Sequence, residues 1–321
     1  MSLENKNNVK YHIIDEGSEG QKIDNFLLKI LKNVPKSHIY KILRSGEVRV
    51  NKKRIRTDFR LSINDSVRIP PVSYRERDIF VPISANKSLL KDIEKGVLFE
   101  DEAFIVFNKP QGIAVHGGSG INFGVIELLR QSRPNAKFLE LVHRIDKDTS
   151  GALLIAKKRL ALVGIHKQMR DKSMHKKYEV IVHGEWNKKQ LIVDLNLLKT
   201  SGVDGQKKVS VVDDSNVSLN TKKSRSVFFL KKNFKDFTLL EVKLITGRTH
   251  QIRVHLSYLG FPIVGDQKYG DFELNKKLRK VGLDRMFLHA SEVAFTHPIT
   301  SEEVHFIAPT PKEFNSIDIL K

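Results

Sequence analysis

Val142-His143-Arg144-Ile145-Asp146-Lys147-Asp148-Thr149-Ser150-Gly151 runs straight into Ala152-Leu153-Leu154-Ile155-Ala156. Two carboxylates, the cations Arg144 and Lys147 and a glycine turn thus lie at the mouth of an apolar run of strand length. The core anchors such a loop at one end while its polar groups face a cleft, and catalytic groups collect in that setting. On their own, Asp146 and Asp148 could equally well cap a turn and neutralise the cations beside them.

Three further segments depart from ordinary core or surface patterns. Asn108-Lys109-Pro110-Gln111-Gly112-Ile113-Ala114-Val115-His116-Gly117-Gly118 reads as a strand end followed by a turn-rich loop. In Lys177-Tyr178-Glu179-Val180-Ile181-Val182-His183-Gly184, Tyr178, Val180 and Val182 share one strand face, where a tyrosine is either core or a flat support for a nucleobase. Thr246-Gly247-Arg248-Thr249-His250-Gln251-Ile252-Arg253-Val254-His255-Leu256-Ser257-Tyr258-Leu259-Gly260 reads as a helix with Thr249 as N-cap and Gly260 just past its end. Ile252, Leu256 and Leu259 form its buried seam, so Arg253 falls at the core margin and needs a carboxylate partner, for which Asp146 is a candidate.

The chain has 321 residues and a formal charge of +19, and 40% of its residues are hydrophobic, enough for two domains with proper cores. So large a positive charge points to a polyanion, nucleic acid ahead of a membrane surface. There is no cysteine, which excludes disulfides, thiolate metal sites and cysteine nucleophiles and fits a reducing cytoplasm. The start, Met1-Ser-Leu-Glu-Asn-Lys-Asn-Asn, lacks the apolar run of a signal peptide, so a soluble, non-exported protein is expected. Among the twelve histidines there is no i, i+4 pair and no HExxH, so no metal is expected. Neither GxxxxGK[ST] nor GxGxxG occurs, which removes the usual supports for nucleotide hydrolysis and dinucleotide redox chemistry.

Residues 20–72 read as a small module. Ile23, Phe26, Leu27, Ile30 and Leu31 mark one helix, and Ile39, Ile42 and Leu43 a second that starts at Pro35-Lys36-Ser37 and stops at Ser45-Gly46; short strands follow near Val48-Arg49-Val50 and Val67-Arg68-Ile69. Between positions 36 and 60 lie Lys36, Lys41, Arg44, Arg49, Lys52, Lys53, Arg54, Arg56 and Arg60 against only Glu47 and Asp58, the composition of a phosphate-backbone contact surface. Residues 73–97 read as a linker, and 98–321 as a larger α+β unit. Its strands are expected near 103–108, 152–156, 178–182 and 237–245 and its helices near 125–131, 161–170 and 250–259, with 200–224 an exposed, mobile hairpin or loop.

His143-Arg144-Ile145-Asp146-Lys147-Asp148-Thr149-Ser150-Gly151 closely resembles the HRLDxxTSG signature of the RluA family of pseudouridine synthases. Lys109-Pro110 to His116, Lys177-Tyr178 to Gly184, and Gly247-Arg248-Thr249-His250-Gln251-Ile252-Arg253-Val254-His255 with Gly265-Asp266-x-x-Tyr269-Gly270 resemble that family's other motifs, in order. The N-terminal module resembles the S4 RNA-binding domain. Val34-Pro35-Lys36-Ser37, Gly46 to Ile55 and His116 to Glu127 are most similar to the branch that modifies uridines in bacterial large-subunit ribosomal RNA.

The resemblance implies a mixed, mainly antiparallel catalytic sheet, no cofactor, large-subunit (23S) ribosomal RNA as partner during assembly, no membrane, and a monomer. It makes Asp146 the essential aspartate, Arg253 its partner, Tyr178 the ring that stacks on the target base, and Arg144 the side chain that fills the gap left by a flipped uridine. Lys109, His116, Lys147, Arg248 and His250 are assigned to substrate RNA, and Lys36, Arg44, Arg49, Lys52, Lys53 and Arg54 to RNA on the S4 surface. The departures are mild: Ile145 replaces the commoner Leu, and Lys147 stands where the bidentate Arg is frequent.

Two other classes compete. A non-catalytic RNA-binding module explains the charge but leaves the motifs after Val97 unexplained. A glycosidase using Asp146 and Asp148 as a carboxylate pair would hydrolyse the bond instead of re-forming it, but neutral glycans need no such charge.

Overall fold

The computed structural model describes residues 8–31, 34–72, 85–117, 123–201 and 207–317. The chain divides into two compact units, Met1–Ser84 and Ala85–Lys321.

In the first unit the order is β1 (Lys10–Ile13), α1 (Ile23–Ile30), α2 (Lys36–Arg44), β2 (Arg49–Val50), β3 (Lys53–Arg54) and β4 (Ser66–Ile69), with the antiparallel sheet ordered β1-β4-β2-β3. The two apolar stripes do what their spacing predicts: Ile23, Phe26 and Leu27 of α1 and Ile39, Ile42 and Leu43 of α2 are buried with Val48, Val50, Leu61, Val67 and Ile69 in one core. Tyr40 Oη donates to Asp24 Oδ2 at 2.8 Å and ties the helices together. Asn51 and Lys52 both have positive φ, as a two-residue primed hairpin turn requires. Strand β1 was not anticipated, because all four of its residues are exposed and carry no alternation.

The second unit contains α3 (Lys87–Glu94), β5 (Val97–Glu100), β6 (Phe104–Lys109), α4 (Val125–Ser132), β7 (Glu140–Leu141), β8 (Ser150–Ala156), α5 (Arg159–Asp171) and β9 (His175–His183). It continues with β10 (Gln190–Ser201), β11 (Lys207–Val212), β12 (Lys222–Asn233), β13 (Phe237–Leu244), α6 (Gln251–Tyr258), α7 (Phe272–Lys280), β14 (Leu288–Thr296), β15 (Glu303–Ile307) and α8 (Glu313–Ser316). One sheet of 11 strands runs β11-β10-β12-β13-β9-β14-β8-β6-β5, with β15 on β14 and β7 on β8. Every pairing is antiparallel except β8 with β14, so the expected α+β fold with a mixed, mainly antiparallel sheet is what forms. All seven residues of β8 are buried, which is why that strand reads as a continuous apolar run. Its start needs glycine: Gly151 has φ +107, and a Cβ there would lie 2.2 Å from Ala290 O. Among the described residues no helix is long and apolar enough to cross a membrane.

Three expectations change. Residues 87–94 of the stretch read as a linker form α3, capped by Asn86, whose side chain accepts from Leu89 N at 2.8 Å, with Ile93 buried beside Leu128 and Leu129 of α4; residues 73–84 lie outside the described ones. Leu89, Leu90 and Ile93 do fall at helical spacing, but the polar run Ser84 to Ser88 ahead of them makes the segment read as a linker. The 200–224 segment does form a hairpin edge, but Val209 is buried against Leu197 and Val254, so this part docks on α6 instead of standing free; residues 202–206 lie outside the described ones. Finally, His250, in the left-handed region at φ 53, occupies the N-cap of α6 where Thr249 was expected. The turn before α6 is held instead by the Gln251 side chain. Its Oε1 accepts from Thr246 Oγ1 and Arg248 N, and its Nε2 donates to Arg225 O and Ser226 Oγ. The C-terminus is as expected: Gly260 at φ +82 closes a Schellman pair, Phe261 N to Leu256 O and Gly260 N to Ser257 O.

His255 on α6 is fully buried. Ser224 Oγ gives its proton to Leu195 O, so it accepts from His255 Nε2 at 2.7 Å, which leaves His255 Nδ1 a bare, buried lone pair. Burial pushes this histidine down to about 4, with only the Asp194 charge opposing. The unfolded chain therefore binds a proton the folded one refuses between about pH 6.5 and 4. The urea midpoint is expected to hold above pH 6.5 and to fall below it, and His255→Gln should shallow that acid slope by about one proton.

Candidate active site

The loop between β7 and β8 is fixed from beneath by Lys109. This lysine is fully buried at the end of β6, and its Nζ donates to Pro110 O, Ile113 O and Lys147 O, each at 2.8 Å. Burial lowers its pKa while the charges of Asp148 and Asp146 oppose. All three N–H groups of the ammonium are occupied by carbonyls, so Lys109 braces the loop and does not contact RNA as expected. Gly112 N also donates to Lys147 O, and Thr149 N to Asp146 O, closing the turn on Asp146. His143 Nε2 accepts from Leu154 N at 3.2 Å, and burial together with nearby Lys176 pushes this imidazole down to about 3. It is a neutral strut.

Asp146 meets Arg253 across the cleft: Arg253 Nη1 donates to Asp146 Oδ2 at 2.9 Å. The same guanidinium makes a fork with Asp266, Nε to Oδ2 at 2.7 Å and Nη2 to Oδ1 at 2.8 Å. Burial opposes the charge of Asp266, but Arg253 and the amides of Lys268 and Tyr269 win and hold it below the usual carboxylate range. Arg253 is in turn kept charged and faces the Tyr269 ring, 5.1 Å from its centroid. The result is a buried Asp266–Arg253 pair that presents an Nη1 N–H to Asp146.

Tyr178 lies on the cleft floor, buried, with its hydroxyl pushed well up by burial and by the Asp146 charge, so it stays a neutral phenol. Lys176, two residues earlier on the same face of β9, also lines the cleft, and burial lowers its pKa with no carboxylate acting on it. The cleft, about 510 Å³, is lined by Arg144, Asp146, Tyr178, Arg248, His250 and Arg253 among others. Among the described residues no cluster of three His, Cys, Asp or Glu is placed to hold a metal.

Residues 103–258 match the RNA pseudouridylate synthase family model, and residues 21–67 match that of the S4 domain. The chain is 48% identical over 309 residues to Ribosomal large subunit pseudouridine synthase C of Pasteurella multocida (strain Pm70), covering 96% of this chain and 93% of the relative. The chain belongs to the RNA pseudouridylate synthase family. Its relative of the same name from Escherichia coli (strain K12) is 48% identical over 305 residues, covering 94% of this chain and 93% of that one. Among solved structures, Human RNA Pseudouridylate Synthase Domain Containing 4 superposes with a TM-score of 0.57 at 27% identity, covering 71% of this chain and 93% of that one. The chain is therefore an RNA pseudouridine synthase, an isomerase, with an S4 domain before its catalytic unit.

In this synthase the cleft brings together six of the expected residues and leaves others out. His116 and Lys147 are exposed and do not line it. Asp148 is not in its lining either, so a paired-carboxylate hydrolase loses its second member. Missed by sequence reasoning were Asp266 as the fixed partner of Arg253, Tyr269 beneath it, and Lys176. The last was legible as a cation in phase with Tyr178; the first two lie in a motif that was noted but given no role.

In the S4 unit Lys36, Arg44, Arg49, Lys52, Lys53 and Arg54 are all exposed. Arg44, Arg49 and Arg54 gather around the end of α2, where they donate to Tyr40 O, Gly46 O and Ser45 O. Arg54, Arg49 and Arg68 stand in register across β3, β2 and β4. Like charges directly opposite one another cost stability, so this row is a feature that a polyanion would relieve. Arg68 was not anticipated, and Lys36 stands apart at the other end of α2.

Proposed function

We propose that the chain isomerises specific uridines in large-subunit ribosomal RNA to pseudouridine, without a cofactor, by extruding the target nucleotide and attacking it with Asp146. The observation that carries this is Asp146, only 20% exposed, held by Arg253 in a cationic cleft that Tyr178 also lines. The reaction breaks N1–C1′, turns the detached base, joins C5 to C1′ and releases the C5 proton to solvent while N1 takes one up. There is no net redox change and no hydrolysis, so nothing in its balance calls for a cofactor. A stacked base cannot turn, and extrusion costs roughly a few kcal/mol, offset by pocket contacts. Tyr178 offers a flat, apolar-backed ring to the uracil, and exposed Arg144 at the cleft mouth supplies a cation for the vacated stack. Asp146 acts as nucleophile or as base at the sugar. Because Tyr178 holds its proton tightly, Asp146 is the better acceptor for the C5 proton.

The relatives named as large-subunit synthases, the S4 domain and the +19 charge support ribosomal RNA as substrate in the cytoplasm. The test is tritium release from C5-tritiated large-subunit RNA that lacks the modification, followed by mapping of pseudouridine in the product. Release with free uracil in place of pseudouridine would move the reading to a glycosidase.

Arg49→Ala with Arg54→Ala should weaken RNA binding and lower the slope of log K against log salt by about 1–2, since each exposed cation releases roughly one counterion equivalent. The single-turnover rate at saturating RNA should stay within about twofold. An unchanged salt slope would remove this arginine row from the RNA surface.

A further inference from the structure

Asp146 Oδ2 receives Arg253 Nη1 at 2.9 Å, and His250 Nε2 stands 3.9 Å from the same oxygen. Among the described residues no hydrogen-bond partner is found for Oδ1. His250 is held in the left-handed region, φ 53, immediately before α6, a conformation uncommon outside glycine, which histidine adopts more readily than most residues and which is often found where function fixes a side chain. Its tautomer is also biased. Val209 N on the edge strand β11 donates to Tyr269 Oη at 3.0 Å, and the tyrosine's own proton has His250 Nδ1, 2.9 Å away, as its acceptor. This pairing favours the imidazole tautomer with its proton on Nε2, on the side of Asp146.

From this chain of contacts we infer that His250 is a positioning residue for the catalytic carboxylate. As the target nucleotide fills the cleft, His250 Nε2–H closes from 3.9 Å onto Asp146 Oδ2. With Arg253 and His250 both on Oδ2, the carboxylate cannot turn, and Oδ1 is the oxygen that meets the ribose. Tyr269 acts one step back, by disfavouring the other tautomer of His250, and the β11 backbone sets the direction of the Tyr269 hydroxyl. The inference rests on Asp146 being the reacting group, which Asp146→Asn tests separately.

The groups facing His250 are Asp146, Arg253, Lys268, Asp266 and Tyr269. Removing the Tyr269 hydroxyl keeps the ring against Arg253 but frees the imidazole to place its proton on Nδ1. The doubly protonated imidazolium still has an Nε2–H. The Tyr269→Phe defect should therefore be largest at high pH, where the wrong tautomer is available, and should narrow as pH falls and His250 takes a second proton.

The experiment is single-turnover isomerisation and RNA affinity for wild type, His250→Ala, His250→Asn and Tyr269→Phe across a pH series. Expected for His250→Ala is a rate loss of roughly 10–100-fold with RNA affinity within about twofold. His250→Asn, which tolerates the left-handed backbone and keeps an N–H donor, should recover part of it. The ratio of Tyr269→Phe to wild type should rise as pH is lowered. A ratio independent of pH, a His250→Ala rate within twofold of wild type, or a loss confined to RNA affinity would each overturn the inference, the last by making His250 an RNA contact. A wild type that turns over alongside an equally active Asp146→Asn would instead remove the catalytic reading beneath it.

Discussion

Asp146→Asn is expected to abolish tritium release, by about 10⁴-fold or more, with RNA affinity within about twofold of wild type and little change in the thermal midpoint. The amide has the shape of the carboxylate and keeps an oxygen for Arg253 Nη1, so the 2.9 Å contact has a neutral substitute. Asp146 is partly open to the cleft and braces no core, which is why the fold should tolerate the change. What disappears is the charge proposed to attack the sugar or receive a proton, and no neighbour can replace it: Asp266 is fully buried on the far side of Arg253, and Asp148 does not reach the cleft lining. Release within tenfold of wild type would sink the assignment.

Arg253→Met is expected to cost both activity and stability. Turnover should fall by roughly 10²–10³-fold, because Asp146 loses the donor that orients it. Stability should fall by about 3–5 kcal/mol, because the buried carboxylate of Asp266 keeps only amide donors and loses its counter-charge. The two losses separate in a double variant. Asp266→Asn removes the stranded charge while its side-chain oxygen still accepts from the amides of Lys268 and Tyr269, so Arg253→Met with Asp266→Asn should regain much of the stability and none of the turnover. Urea unfolding and single-turnover kinetics on the same three proteins check this. Recovery of turnover in the double variant would mean that Arg253 serves only to neutralise Asp266.

The sequence made the helices of the S4 unit legible because their apolar residues fall at helical spacing over two uninterrupted turns. It also made the Asp146–Arg253 contact legible, since a cation at the margin of a buried helix has to find an acid. It did not reveal that a second acid, Asp266, would claim two of the three guanidinium donors that Arg253 uses, because that depends on where the chain returns after Gly260. Lys109 was misread for a related reason. A lysine beside a Pro-Gly turn looks solvated, and only the carbonyls of three non-adjacent residues, brought together by β6 and the Asp146 loop, show it to be internal. His250 defeated the helix-start rule because no side chain caps α6, and the Gln251 side chain, from inside the first turn, holds the turn ahead of the helix instead. The row of Arg54, Arg49 and Arg68 was invisible as a row, since register across three strands is not written in any one of them.

The Lys109 ammonium occupies the kind of carbonyl cage in which other folds hold a potassium ion. A free ion in such a cage exchanges with the medium, and the loop it organises loosens when that ion is diluted or replaced. Here the cation is tethered by its own side chain and cannot be dialysed away. The platform under Asp146 is thus insulated from the very electrolyte that governs how tightly RNA is gripped, and a salt jump should release bound RNA while leaving the Asp146 loop assembled for the next molecule.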